Sequence, residues 1–434
     1  MFDNILSHIR LLIPTGIFNG LNPWYHRVMA TTSAVWYRFP ARQIKVIAVT
    51  GTKGKSSTVE ILSAILEEAG HKIASSNTIR FRIGEKSWPN LYKMSMPGRG
   101  FMQRFLRQAV NAGCEYAVLE MTSQGAITFR HAHIDLNAFV LTNISPEHIE
   151  AHGSYENYVT AKLSLVCDGL RDSSKPNRIL ITNADDPESA RFIACIGNQP
   201  VKRIEYSLKQ AEPYNATEHS IDFTWNKHAA HSPLSGTFNL YNILAAATAA
   251  KSQGISDEKI IATLSKFSDI KGRVEEVEAG QNFKVIVDYA HTADSLEKLY
   301  KVFRPDPTAP HTNKLIAVLG GTGGGRDTRK RAVMGGLADK YCDIVILTDE
   351  DPYDEDPNKI VTDVAAGITL KKPTIIMDRR LAIREAISRA QKGDVILITG
   401  KGTDPYIMGP RGNKTPWSDA NIAREEIEKT INDH

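Results

Sequence analysis

A short glycine-rich segment follows a β-branched run, and this arrangement restricts the fold of the chain more than any other feature. The run covers residues 44–49, the glycine-rich segment covers 51–57, and apolar residues then recur at helical spacing as far as residue 70. This order predicts a strand, a phosphate-binding loop and a helix. The loop should therefore lie at the carboxyl end of a buried strand in an α/β fold.

The loop has the chemistry of a phosphate site. Its residues are Gly51, Thr52, Lys53, Gly54, Lys55, Ser56 and Ser57. Small residues let backbone N–H groups turn towards phosphate oxygens, and the start of the helix adds a positive dipole end. Lys55 can reach the terminal phosphates, and the Ser56 hydroxyl can ligate Mg²⁺. We therefore predict ATP and Mg²⁺ as cofactors.

The match to the general nucleotide-binding motif is incomplete. The pattern GxxxxGK[ST] requires a glycine at position 49, where this chain has valine. Only Gly54, Lys55 and Ser56 fit the pattern, so an accidental turn is the alternative. The position of the segment between a strand and a helix favours the phosphate loop.

The alternation of strands and helices continues along the chain. Further strands are expected at 117–119, 138–142, 178–182, 284–287, 315–319, 344–347, 374–377 and 395–398. Further helices are expected at 234–250, 295–303, 332–340 and 381–390. We predict an α/β protein with a short helical N-terminal segment (1–43), a P-loop central domain with a mostly parallel sheet (44–271), and a smaller Rossmann-like C-terminal domain (272–434).

Composition excludes several classes of protein. A net charge of +4 over 434 residues is too small for a protein that coats nucleic acid. The segment 1–40 lacks the pattern of a signal peptide, and its aromatic residues are expected to pack on their own protein rather than on a membrane. The four cysteines show no metal-ligand or CxxC spacing, which predicts reduced thiols in a cytoplasmic protein.

The loop pattern TGTxGK[ST][ST] at 50–57 resembles that of the Mur ligase superfamily, which also includes folylpolyglutamate synthases. Other segments follow in the order of that family, at 119–124, 142–150, 152–162, 183–186, 236–242, 272–275, 288–292, 323–331 and 400–402. Within the superfamily, the segments at 288–291, 326–331 and 400–402 are similar to those of the tripeptide synthetase branch. That branch adds a diamino acid to a cell-wall peptide stem.

The resemblance implies roles for individual residues. Lys55, Glu120, His148, Lys162 and Arg326 would be catalytic, and Lys162 would be carbamylated. Ser56, Glu120, His148 and Lys162 would serve Mg²⁺. Asn242 would bind the adenine, Asp288 the ribose, and Arg273 and His291 would complete the nucleotide site. The substrates would contact Arg99, Ser123, Asp351, Tyr353, Lys401 and Asp404.

The chain departs from the family pattern in four places. Only about 43 residues precede the ATP-binding strand, so the usual N-terminal UDP-binding domain is not expected. Tyr353 stands where an arginine grips the distal carboxylate of diaminopimelate. Thr403-Asp404 replaces His-Glu after the Gly-Lys-Gly motif, and Gln124 replaces a histidine. Two acidic groups around Tyr353 would suit an amine-bearing side chain such as that of lysine or ornithine.

These observations predict an ATP-dependent acid–amino-acid ligase that works through an acyl phosphate. Its partners would be small molecules, a cell-wall peptide precursor and an amino acid, and the protein would be a cytoplasmic monomer without nucleic-acid or membrane partners. A folylpolyglutamate synthase-like ligase and a non-catalytic nucleotide-binding homologue are the alternatives. The acidic segment 349–356 is either a solvated loop or a site loop that follows a buried strand.

Overall fold

The structure is a computed structural model that describes residues 15–98, 100–147, 149–304, 313–325 and 327–432. Its chain divides into two compact units. The first comprises residues 1–212 and 241–264, and the second comprises 213–240 and 265–434. The boundaries at residues 43 and 271 that the sequence suggested stay a prediction.

The first unit is built on an eight-stranded sheet in the order β4-β3-β2-β5-β1-β6-β7-β8. Its strands are β1 (Lys45–Thr50), β2 (Ile73–Ser76), β3 (Arg80–Ile83), β4 (Lys86–Pro89), β5 (Tyr116–Glu120), β6 (Ala138–Leu141), β7 (Arg178–Asn183) and β8 (Val201–Tyr206). The six strands from β2 to β8 in this order are parallel, and β3 and β4 extend the edge as antiparallel strands.

The helices of the first unit are α1 (Thr15–Trp36), α2 (Lys55–Glu68), α3 (Phe101–Asn111), α4 (Ser123–Ile127), α5 (Ile149–His152), α6 (Tyr155–Val166), α7 (Ser189–Ile196), α8 (Thr237–Ser252) and α9 (Asp257–Lys266). The first four residues of α8 and the last two of α9 belong to the second unit. Val46, Ile47, Ala48 and Val49 of β1 are fully buried. Burial on both faces explains why the central strands are continuous apolar runs instead of alternating ones.

The second unit contains a six-stranded sheet in the order β12-β13-β17-β14-β15-β16. The strands are β12 (Glu275–Glu276), β13 (Lys284–Asp288), β14 (Leu315–Leu319), β15 (Ile344–Leu347), β16 (Thr374–Ile375) and β17 (Val395–Thr399). The helices are α10 (Ala293–Phe303), α11 (Arg329–Tyr341), α12 (Pro357–Ala365), α13 (Arg379–Arg389) and α14 (Asp419–Asn432). All strand pairs except β12–β13 are parallel, which confirms the predicted α/β fold with its Rossmann-like second sheet.

Two small antiparallel sheets in the second unit were not predicted. Their strands are β9 (Asn215–Ala216), β10 (Ile221–Trp225), β11 (His228–Ser232), β18 (Tyr406–Met408) and β19 (Lys414–Pro416). These strands are short, and exposed residues interrupt their apolar pattern. Such strands give little periodic signal in the sequence.

The prediction of four reduced cysteines is wrong for one pair. Cys167 and Cys195 form a disulfide, with their Cα atoms 6.2 Å apart. The two residues are 28 positions apart in the sequence, and the packing of α7 beside the end of α6 brings them together. Cys114 and Cys342 are buried thiols, as predicted.

The aromatic residues near the N-terminus do not all pack on their own protein, so that prediction is wrong for Trp24 and Trp36. These side chains are 74% and 80% exposed. Within the described residues, no helix is long and apolar enough to cross a membrane.

Candidate active site

The phosphate loop follows β1 directly and leads into α2, as the sequence predicted. Gly54 has a φ of 82° and precedes the helix, and a Cβ at this position would lie 2.1 Å from Asn242 Oδ1. A Cβ at Gly51 would lie 1.9 Å from Thr142 Oγ1. Only glycine fits at either position, so the fold holds the loop in one shape. It also places Asn242 against the loop.

Glu120 lies beside this loop, at the end of β5. Its carboxylate accepts hydrogen bonds from Ser56 Oγ (2.6 Å), Ser95 Oγ (2.6 Å) and Thr78 Oγ1 (3.0 Å). Burial acts to raise the pKa of Glu120, but the Lys55 ammonium and these donors outweigh it and hold the pKa below its usual value. Glu120 is therefore an anion within a ring of hydroxyl groups.

Two lysines converge on one carbonyl group of the loop. Lys162 Nζ donates to Gly51 O at 2.7 Å, and Lys55 Nζ donates to the same oxygen at 3.1 Å and to Thr52 O at 3.0 Å. Lys162 is 2% exposed. Burial and the neighbouring Lys55 charge lower the pKa of Lys162 well below its usual range. A lysine on a helix is usually exposed to solvent, and Lys162 is an exception.

A further group of side chains links this region to α6. Tyr158 donates or accepts a hydrogen bond with Thr52 Oγ1 at 2.8 Å, and Lys162 Nζ lies 5.0 Å from the centre of the Tyr158 ring. Ser123 Oγ lies 3.1 Å from His152 Nε2. Burial, followed by the Lys162 charge, lowers the pKa of His152. Ser123 thus lies in the same neighbourhood as Lys162.

Sequence reasoning missed several residues that shape this site, namely Thr78, Ser95, Thr142, His152 and Tyr158. Thr142, His152 and Tyr158 fall in the family-like segments 142–150 and 152–162, and that was the one signal for them. No motif marks Thr78 or Ser95, although Ser95 lies four positions before the predicted substrate residue Arg99.

Three predicted site residues, Arg99, His148 and Arg326, lie outside the described residues. Another arginine contacts the chain shortly before Arg99 in the sequence: Arg130 donates to Met96 O at 2.5 Å. Burial lowers the pKa of Arg130. This residue adds a positive charge beside the segment that contains Ser95 and Arg99.

The second unit brings three predicted motifs side by side. A Cβ at Gly272, whose φ is 64°, would lie 2.5 Å from Thr403 N and 2.7 Å from Gly402 C. Asp288 accepts hydrogen bonds from Val274 N (2.8 Å) and Ala290 N (2.6 Å). The segments 272–275, 288–291 and 400–404 therefore form one continuous surface.

Arg273 and His291 both contact Tyr289 on this surface. The Arg273 guanidinium lies 4.3 Å from the centre of the Tyr289 ring, and His291 Nδ1 lies 2.7 Å from Tyr289 O. Arg273, Asp288 and His291 are thus neighbours in the second unit. Their predicted contacts with a nucleotide stay predictions.

The acidic segment after β15 is largely folded inward. Asp351 Oδ1 accepts hydrogen bonds from Lys401 Nζ and from Met408 N, both at 2.8 Å, and Asp404 Oδ2 lies 3.6 Å from Lys401 Nζ. Lys401 is fully buried. The interpretation of 349–356 as a solvated loop is wrong at Asp351 and at its neighbour Glu350, which is 2% exposed.

Glu350 and Tyr353 complete this region. Glu350 Oε1 accepts from Thr322 Oγ1 at 2.8 Å, whereas Glu350 Oε2 has no hydrogen-bond partner among the described residues. Burial raises the pKa of Glu350 despite nearby Arg379 and Lys401. Tyr353 has a φ of 53° and donates from its backbone N–H to Met408 O at 2.9 Å.

The first unit offers ligands that suit Mg²⁺. The Ser56 hydroxyl and the Glu120 carboxylate are hard oxygen donors next to the phosphate loop, which is the combination that Mg²⁺ prefers together with phosphate oxygens. Among the described residues, no group of three or more His, Cys, Asp or Glu side chains forms a cage. Mg²⁺ in phosphoryl-transfer sites usually needs only one or two protein ligands.

Comparison with known sequences shows two family matches. The Mur ligase middle domain matches residues 49–250, and the Mur ligase, glutamate ligase domain matches residues 272–402. The chain is 36% identical over 424 residues to a UDP-N-acetylmuramyl-tripeptide synthetase of Roseiflexus sp. (strain RS-1), with 92% of this chain and 81% of that protein covered. It is 34% identical over 416 residues to a UDP-N-acetylmuramoyl-L-alanyl-D-glutamate--2,6-diaminopimelate ligase of Geobacillus kaustophilus (strain HTA426), with 93% and 83% covered.

Solved structures show the same architecture. A UDP-N-acetylmuramoyl-L-alanyl-D-glutamate--2,6-diaminopimelate ligase is similar with a TM-score of 0.61 and 28% identity, over 89% of this chain and 79% of that chain. Mycobacterium tuberculosis folylpolyglutamate synthase, solved with ADP and AMPPCP, has a TM-score of 0.70 at 14% identity, over 92% of this chain and 95% of that chain. The second likeness concerns the fold alone.

Proposed function

Because this chain belongs to the Mur ligase family, we propose that it is an ATP-dependent ligase that joins an amino acid to the carboxylate of a cell-wall peptide precursor. The observation that carries the proposal is the cluster around the phosphate loop. Lys55, Ser56, Glu120 and Lys162 lie within one hydrogen-bonded neighbourhood. A buried anion and two lysines beside a phosphate loop are the groups that a phosphoryl-transfer site uses to position phosphates and neutralise their charge.

The proposed reaction has two steps. In the first, a carboxylate oxygen of the acceptor bonds to the γ-phosphorus of ATP, the bond from that phosphorus to the β–γ bridging oxygen breaks, and ADP leaves. In the second, an amine attacks the acyl carbon, the bond to the phosphate oxygen breaks, and the amine loses a proton as the amide forms. Both steps depend on positioning and charge neutralisation.

The residues of the first unit divide this work. The loop N–H groups and Lys55 would hold the phosphates and offset their negative charge. Ser56 and Glu120 would hold Mg²⁺, which when bound neutralises charge on the transferring phosphoryl group. Since Ser56 now donates to Glu120 at 2.6 Å, the two side chains are already close enough to share one ion.

Lys162 would act as a carbamate. A neutral amine reacts with carbon dioxide, forming an N–C bond and releasing one proton, whereas an ammonium does not react. The lowered pKa of Lys162 supplies the neutral amine. The carbamate would add a negative oxygen ligand beside Glu120. Stripping carbon dioxide from the buffer should reduce activity, and bicarbonate should restore it. Unchanged activity would contradict this role.

The amino acid would bind in the second unit. The carboxylates of Asp351 and Asp404 lie 2.8 and 3.6 Å from Lys401 Nζ, and Tyr353 follows Asp351 by two residues. A phenol cannot replace the bidentate arginine that grips a distal carboxylate. An amine-bearing side chain such as that of lysine or ornithine therefore suits this region better than diaminopimelate does. The cytoplasmic location and the monomeric state stay predictions.

The test is phosphate release from ATP and Mg²⁺ with UDP-N-acetylmuramoyl-dipeptide, in separate reactions with lysine, ornithine, diaminopimelate or no amino acid. Release should depend on the amino acid, and it should be lost in Lys55→Ala but kept in Lys86→Ala, a lysine on the exposed strand β4. Preference for diaminopimelate would contradict the assignment of the amino acid. Turnover with a folate and glutamate instead would favour the folylpolyglutamate alternative, and no turnover with any acceptor would favour a non-catalytic homologue.

A further inference from the structure

Helix α1 presents a strip of large apolar side chains to solvent. Trp24, Tyr25, Val28, Val35 and Trp36 are 74%, 45%, 46%, 58% and 80% exposed. At 3.6 residues per turn these five positions fall within an arc of about 120°. The arc contains no charged residue. We call these five residues the outer face of α1.

The opposite side of α1 is attached to the first unit. Ala34 is fully buried on that side, and at the edge of the outer face Thr31 Oγ1 lies 2.9 Å from His133 Nε2. A Cβ at Gly100 would lie 2.5 Å from Ser33 Oγ, so α1 packs closely on the segment before α3. The outer face is therefore exposed on a helix that is already packed. Exposed contiguous apolar surface of this kind usually marks an interaction site.

The charges of the residues near α1 in the sequence indicate which type of partner the outer face would bind. No acidic residue occurs between Asp3 and Glu60. The same stretch contains the basic residues Arg10, Arg27, Arg38, Arg42, Lys45, Lys53 and Lys55. Arg27 lies next to the outer face in the helix and Arg38 follows its end, and both side chains are exposed. A partner that covers the outer face would thus meet positive charge at both ends of the strip.

We propose that the outer face of α1 docks on an anionic lipid bilayer, with the helix lying in the plane of the interface. Tryptophan and tyrosine rings favour the level of the lipid headgroups, where one part of the ring is in an apolar and another in a polar environment. Arginines beside an apolar helical face attract anionic lipids. An apolar strip with two tryptophans and flanking arginines matches this surface better than it matches an acidic or a basic protein. The proposal does not depend on the proposed ligase activity.

The experiment is co-sedimentation of the full chain with vesicles of phosphatidylcholine alone or with one quarter phosphatidylglycerol. Trp24→Ser/Trp36→Ser removes the aromatic anchors, and Arg27→Glu/Arg38→Glu reverses the flanking charge. Trp88→Ser/Leu370→Ser is the matched control, because these side chains are 37% and 79% exposed outside α1. Circular dichroism and size-exclusion chromatography show whether each variant is folded and monomeric.

We expect binding to the vesicles with phosphatidylglycerol and at least tenfold weaker binding to phosphatidylcholine alone. The affinity for the vesicles with phosphatidylglycerol should fall at least tenfold in Trp24→Ser/Trp36→Ser, the serine variant, and about fivefold or more for each reversed charge in Arg27→Glu/Arg38→Glu. It should fall less than twofold in the control variant. Absence of binding to both vesicles, or equal binding by the parent and both outer-face variants, would overturn the proposal. A parent dimer that the serine variant converts to a monomer would also overturn it, since a second copy would then cover the face. Leu11 and Leu12 precede α1 in the sequence. If Leu11→Ser/Leu12→Ser lost binding and Trp24→Ser/Trp36→Ser did not, another part of the chain would bind the vesicles, and the proposal would be overturned as well.

Discussion

Lys162 in the first unit and Lys401 in the second are both buried, with exposed fractions of 2% and 0%, but their surroundings differ. Lys401 lies 2.8 Å from Asp351 and 3.6 Å from Asp404. Lys162 donates to a carbonyl oxygen, and among the described residues no carboxylate lies within ion-pair distance of it. Burial and the Lys55 charge lower the pKa of Lys162, whereas Lys401 is held in a buried ion pair. The comparison sets Lys401, a structural lysine, against Lys162, which we propose to be the reactive lysine.

The largest effect should follow from replacing the reactive lysine. Lys162→Met is expected to reduce amino-acid-dependent phosphate release by at least about 100-fold, because electrostatic groups at a phosphoryl-transfer site typically contribute this much. The measurement is kcat at saturating ATP, acceptor and amino acid. Lys175→Met is the control, because Lys175 is half-buried and burial lowers its pKa as well. If both variants keep full activity, burial of Lys162 has no catalytic purpose.

The structural lysine should matter most for folding. Lys401→Met leaves Asp351 and Asp404 buried without their cation, and breaking a buried pair in this way costs about 3–5 kcal/mol. Urea denaturation would measure the free energy of unfolding. Lys359→Met, which removes exposed pairs with Glu355 and Asp363, should cost no more than about 1 kcal/mol. Equal losses in the two variants would show that Lys401 is not the buried anchor described here.

The stability of the protein should report the protonation of Lys162 directly. Because its folded-state pKa is well below 10.5, the unfolded chain binds more protons in the window between the two pKa values. The free energy of unfolding of the parent should therefore rise with pH relative to that of Lys162→Met, by on the order of 1 kcal/mol per pH unit inside the window. Comparison of the two proteins between pH 6 and 9 tests this, with Lys86→Met as the exposed control. A difference that does not change with pH would mean that Lys162 titrates normally.

The smallest effect concerns Glu350, where the sign is reversed. Burial raises the pKa of Glu350 in the folded protein above 4.5. The contribution of Glu350 to the free energy of unfolding is therefore complete below the pKa of the unfolded chain, and it is lost as pH rises through the pKa of the folded protein. Glu350→Gln should gain stability relative to the parent over that range, by about 1 kcal/mol or less. Thermal unfolding between pH 4 and 7 would measure this, with Glu385→Gln in an exposed helical pair as the control. A relative loss of stability in Glu350→Gln would show that the carboxyl is ionised and paired.

The sequence predicted those parts of the molecule that depend on repeated or contiguous patterns. Buried parallel strands are continuous apolar runs, and the phosphate loop is a contiguous motif, so both could be located from the sequence alone. The site residues Thr78 and Ser95 could not, because their roles depend on contacts between segments that are distant in the chain. The Cys167–Cys195 pair and the exposed face of α1 escaped prediction for the same reason, since packing between elements decides both.

The close approach of Gly51 to Thr142 links two distant positions in the evolution of this chain. Since Thr142 Oγ1 lies 1.9 Å from the point where a Cβ on residue 51 would be, no side chain can arise at position 51 while residue 142 keeps its present size and position. Asn242 imposes the same condition on position 54. A smaller residue at position 142 would not by itself admit a side chain at position 51, because the Asn143 backbone oxygen and nitrogen lie 2.9 and 3.0 Å from the same point. The loop is therefore fixed by the backbone that packs against it as well as by its chemistry.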